Sequence, residues 1–150
     1  MWYSKITASL SAIPDFITHY ENELSKAKVE CKIEGLIEKN LTSLPGITEH
    51  RFIQLQEIEA VLNYLNIQLR KIRRKHFQKY LEGYGRALTS RDAEKYTDGE
   101  SEVIDMESII NEVAYLRNRY LGIIKSFDQK SYMLGNLTRL KTAGMEDYNV

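Results

Sequence analysis

Residues 55–72 read LQEIEAVLNYLNIQLRKI and carry the strongest periodic signal in the chain. Leu55, Ile58, Leu62, Leu65, Leu69 and Ile72 recur at alternating intervals of three and four, and His76 extends the series. This spacing lines one face of an α-helix, whereas a strand would alternate at period two. Sustained over three heptads, it is the seam of a coiled-coil-like helix packed lengthwise on another long helix. The stretch predicts a helix over 49–82 with Thr48 as its N-cap. At ~1.5 Å per residue that is a rod of roughly 50 Å.

Outward from this rod, the same pattern recurs on both sides. Ile13, Ile17, Tyr20, Leu24, Ala27 and Cys31 share one helical face, which predicts a helix over 14–41. Pro14 sits in its first turn, Gly35 weakens its middle, and TSLPGIT at 42–48 ends it. After the rod, Gly83, Gly85 and the Asp98-Gly99 turn mark a connector over 83–104 with one short helix around Arg91 to Tyr96. A last helix is predicted over 105–143, from an N-cap at Asp105 to a C-cap glycine at Gly144. Its seam is Ile109, Val113, Leu116, Tyr120, Ile123, Phe127, Leu134 and Leu137, with Lys130 as a polar intruder. These eight residues are the expected self-association surface.

Composition agrees with one all-α domain over 1–150. The chain has two prolines, and 43% hydrophobic against 28% charged residues places it among soluble globular or long-helix proteins. The longest uncharged stretch after Lys5, ITASLSAIP, is too short to span a membrane and lacks a secretory flank. Cys31 is the single cysteine, which excludes an intramolecular disulfide and suits a reducing interior. The expected location is therefore cytoplasmic.

Few residues converge in the way catalysis needs. His19, His50 and His76 stand at no metal-ligand spacing, no Gly-x-Ser-x-Gly elbow frames a nucleophile, and EGYGR lacks the rest of a phosphate loop. The expectation is a non-enzyme with no metal and no cofactor. Charge is more informative. The 21 basic and 21 acidic side chains cancel in sum. Six cations (Arg70, Lys71, Arg73, Arg74, Lys75 and Lys79) nonetheless cluster within RKIRRKHFQK, residues 70–79. An acidic tract from Asp92 to Glu112 follows, relieved only by Lys95.

Projected at about 100° per residue, Arg70, Arg74, Phe77 and Leu81 lie opposite the seam, with Lys71, Lys75 and Lys79 as an adjoining stripe. Tyr80 and Tyr84 lie nearby in sequence. Cations that follow a phosphate backbone, interleaved with rings on which bases stack, suit single-stranded nucleic acid. The alternative is a solvated helix face with Phe77 buried in a packing contact.

Residues 73–144, RRKHFQKYLEGYGRALTSRDAEKYTDGESEVIDMESIINEVAYLRNRYLGIIKSFDQKSYMLGNLTRLKTAG, resemble the UvsY family of tailed-phage recombination mediators. The likeness lies in a basic helix running into KYLEGYGR, a polar acidic connector, and a long amphipathic helix ending in LKTAG. The resemblance implies a ring-like homo-oligomer assembled through its C-terminal helix. It further implies sequence-independent binding of single-stranded DNA, in the cytoplasm of a bacterial host, in phage replication and DNA repair. Such proteins help a RecA-like recombinase displace single-strand-binding protein and hydrolyse nothing themselves. The family's DNA contacts carry over to Arg73, Arg74 and Lys75, with Arg70, Lys71, Lys79 and Arg86 as neighbours. The rival expectation is a helical scaffolding or assembly protein of a phage with no nucleic-acid role. A double-stranded DNA reader ranks third, because no helix-turn-helix surrounds the basic segment.

Overall fold

A computed structural model describes residues 1–83 and 88–144. The protein is all-α, with no strand among the described residues. Helix α1 spans Trp2–Ala8, a 3-10 turn spans Leu10–Ala12, and α2 spans Ile13–Glu30. Helix α3 runs over Ile37–Glu82, α4 over Ser90–Asp98 and α5 over Ser101–Thr142. At ~1.5 Å per residue, the 46 residues of α3 and the 42 of α5 make rods of about 69 and 63 Å.

Helices α3 and α5 lie antiparallel. His76 near the end of α3 meets Glu102 at the start of α5, and Gln54 meets Tyr120 halfway along. Helix α2 fills the groove between them, its Tyr20 bonding Glu57 of α3 and packing edge-on against Tyr120 of α5. The result is a three-helix bundle whose core includes Phe16, Leu24, Ile58, Leu65, Leu116 and Phe127. Helix α1 closes one side. Its Ile6 is fully buried and Trp2 meets Phe16 edge-on.

Three boundaries differ from the sequence expectation. The helix expected over 14–41 ends at Glu30, and the link over 31–36 before α3 holds Gly35 at φ +78, a left-handed conformation that glycine adopts readily and that does not continue a helix. Conversely, TSLPGIT does not end a helix, since α3 runs straight through Pro45. Proline removes one backbone bond, to the carbonyl four residues back. That carbonyl belongs to Leu41, an exposed residue, and Pro45 is itself exposed, so the lost bond falls on the solvent side of the helix and not in the core. Buried Leu44 and Leu55 hold both sides of the proline on one core. Finally, α5 starts at Ser101 with Glu100 as its N-cap instead of Asp105. The short helix read near 91–96 is α4, capped by the Thr89 hydroxyl, which accepts from the Asp92 N–H at 3.2 Å.

The seam of α5 is occupied within the chain. Val113, Leu116, Tyr120, Ile123, Phe127 and Leu134 are buried, while Ile109 and Leu137 are half-buried. They pack against the chain's own α2 and α3, where the sequence reading had assigned them to a neighbouring subunit. The reason is stoichiometric: α2 and α3 each bring an apolar face, and a third helix completes the core. Lys130, the intruder, is also buried, and its Nζ donates to the Glu30 carbonyl at 2.8 Å. A cation there offsets the negative end of the α2 dipole.

Candidate nucleic-acid interface

The C-terminal half of α3 presents its cations in two groups. In the first, the acidic tract folds back on the basic band. Arg73 bonds Asp98 at 2.6 Å and reaches Glu107 at 3.5 Å. Lys75 meets Glu102 at 3.3 Å, and Lys79 meets Glu100 at 3.4 Å. His76 Nε2 lies 2.8 Å from a Glu102 oxygen, so this ring nitrogen carries the proton and donates. His76 Nδ1 stands 3.6 Å from Glu100, too far for a hydrogen bond, and has no hydrogen-bond partner among the described residues.

Tyr80 belongs to the same closure. Its hydroxyl donates to Glu100, and its ring stacks on Tyr96 of α4 at 5.3 Å. The hydrogen bond from the Tyr80 hydroxyl, helped by the Lys79 cation and opposed by burial, holds the Glu100 carboxyl below the usual carboxylate range. Bonds from His76 and then Lys75 do the same for Glu102. Solvent screens each exposed pair and leaves it little net strength, so only their number makes the closure firm.

The second group is Arg70, Lys71 and Arg74, all exposed, with Arg74 about one helical turn beyond the adjacent pair Arg70 and Lys71. None of the ion pairs among the described residues involves them. Phe77 lies beside them but is half-buried, lining a cleft of about 290 Å³ with Arg73, Arg74, Glu94 and Thr97 between α3 and α4. Tyr84 and Arg86 lie outside the described residues. Of the expected DNA contacts, then, Arg70, Lys71 and Arg74 face solvent uncompensated. Arg73, Lys75, Lys79 and Tyr80 hold the acidic tract.

Sequence reading missed a polar cluster at the other end of the bundle. Arg51 is buried at 3% exposure and is held by Glu30 at 2.5 Å, Glu23 at 2.7 Å and Gln54 at 2.9 Å. The bond from Gln54, then that from Arg51, lowers the Glu23 carboxyl to about 2. Its signal was present: Arg51 stands four before Leu55, in register with the seam. A charged residue at a seam position demands buried partners of opposite sign. Among the described residues no group of three or more His, Cys, Asp or Glu side chains could hold a metal ion, and no helix is long and apolar enough to cross a membrane.

Fold and site together define an all-α protein built on a three-helix bundle, with a cationic surface partly closed by its own acidic tract. No family model matches the chain, and no curated protein or solved structure matches it.

Proposed function

We propose that this protein is a non-catalytic accessory factor that binds single-stranded DNA without sequence preference. In this reading it acts as a recombination mediator that helps a RecA-like recombinase onto strands covered by single-strand-binding protein. The observation that supports it best is the uncompensated cluster of Arg70, Lys71 and Arg74 beside the Phe77 ring. Three cations on one turn hold a phosphate backbone only weakly. Several copies along one strand bind far more tightly, because each later contact is intramolecular.

Fluorescence anisotropy with labelled oligo-dT at two salt concentrations tests this. Arg70→Glu/Lys71→Glu/Arg74→Glu should abolish binding at moderate salt. Neutralising the three cations should flatten the salt slope by about 2, at ~0.7 per single-strand phosphate contact. Wild-type protein that ignores oligo-dT at low salt would refute the reading. The alternative is a helical scaffolding or assembly protein of a phage. It draws support from Arg73, Lys75 and Lys79, whose charges are engaged by the chain's own acidic tract. In that case the triple variant leaves every measured property of the protein unchanged except its charge.

A further inference from the structure

The uncompensated cations of α3 lead into the cleft beside α4. Arg70, Arg74 and Phe77 stand at intervals of four and three, so they form one row along the helix surface. The row ends at the cleft of about 290 Å³, where Phe77, Arg73 and Arg74 form the α3 wall and Glu94 and Thr97 the α4 wall. Small-molecule sites run from about 300 to 1,000 Å³, so this volume suits one flat ring system and little more.

Most of the lining is already engaged. Arg73 is held by Asp98 and Glu107, and the Thr97 hydroxyl donates to the Ala93 carbonyl at 2.7 Å. Arg74 and Glu94 are exposed, and neither takes part in an ion pair among the described residues, so they do not close on each other across the cleft.

Glu94 is the acid that the closure leaves out. Asp98, Glu100, Glu102 and Glu107 each engage a cation of α3, whereas Glu94 stands unpaired opposite Arg74. A carboxylate in that place repels phosphate and weakens a purely electrostatic grip. It suits a ligand that carries neutral N–H donors as well as an anionic backbone. A nucleotide has both, and its ring stacks on an aromatic side chain.

We propose that the α3–α4 cleft takes one base of a bound single strand, stacked on Phe77, with Arg74 on the adjoining phosphate and Glu94 accepting from the base's N–H groups. This rests on the single-stranded DNA reading and sharpens it. Backbone contacts stay indifferent to sequence, while one position per copy of the protein favours guanine over thymine. The N1–H and 2-amino group of guanine match the two oxygens of a carboxylate, whereas thymine sets one N–H between two carbonyl oxygens.

Fluorescence anisotropy with two labelled oligonucleotides of equal length, one all dT and one dT with a single central dG, tests this. Wild type should bind the dG oligonucleotide about fivefold more tightly. The salt slope should be the same for both, because their phosphates are the same. Glu94→Ala should bind the all-dT strand slightly more tightly and lose the guanine advantage. Phe77→Leu, which fills the packing but offers no flat ring, should weaken both about tenfold. Equal affinity of the wild type for the two oligonucleotides would overturn the cleft assignment and leave the DNA reading standing. A guanine advantage that survives Glu94→Ala overturns it as well, since the preference then does not come from the carboxylate. Failure to bind either strand at low salt sinks both readings together.

Discussion

Arg51 is held by three side chains from two helices. Its guanidinium sits at a core position and satisfies two carboxylates and an amide at once. Removing one partner of a buried ion pair leaves the others charged and desolvated, at a cost of ~3–5 kcal/mol when burial is complete. Glu23 and Glu30 retain 17% and 26% side-chain exposure, so Arg51→Met should cost about 2–3 kcal/mol at pH 7 in urea denaturation. The effect depends on pH with a definite sign. Folding lowers the Glu23 carboxyl from its ordinary value of 4.5 to about 2, so its contribution is complete above 4.5 and fades as pH falls toward 2. The gap between wild type and Arg51→Met should therefore narrow over that interval. An equal gap at pH 7 and pH 2.5 would show that Arg51 acts through packing alone.

At the scale of the elements, the closure of α4 and the start of α5 over α3 sets how much positive charge is available. Glu100 and Glu102 together engage Lys75, His76, Lys79 and Tyr80. A DNA phosphate and these carboxylates compete for the same cations. Glu100→Gln/Glu102→Gln should raise oligo-dT affinity about tenfold at low salt, with two further phosphate contacts steepening the salt slope by ~1.4. An unchanged slope in the same anisotropy assay would place the DNA path elsewhere. The basic band and the acidic tract were both legible as composition, since each is a local run of like charge. Their pairing was not, because it joins residues 21 to 34 apart in sequence through a turn of the chain. The seven residues of α1 were likewise invisible to periodicity, a helix that short showing too few turns of pattern.

For the whole molecule, the decisive fact is that the seam of α5 completes the core of a single chain. Phe127 is 1% exposed, and an unpaired carboxylate in its place has no polar partner. Phe127→Asp should lower stability by about 4 kcal/mol or more, comparable to the whole stability of a marginal domain, and so unfold the chain itself. Circular dichroism distinguishes this outcome from release of a well-folded subunit, which a seam lying between subunits would give. Helical signal fully retained in a protein of lower mass would restore the seam to a role between subunits.

The sequence by itself determined that the chain is helical, where its apolar faces lie and where its charge is concentrated. These follow from spacing at three and four residues and from local composition, which need no knowledge of what lies across the bundle. Only the tertiary structure decided that Pro45 is absorbed into α3 while the link holding Gly35 separates α2 from α3. It also decided that the α5 seam closes inward, and that three cations of RKIRRKHFQK are already matched while three remain open to solvent. An amphipathic face specifies that something apolar must cover it, but a neighbouring helix of the same chain and one from another subunit satisfy that demand equally. The choice rests on which faces the folded chain brings together.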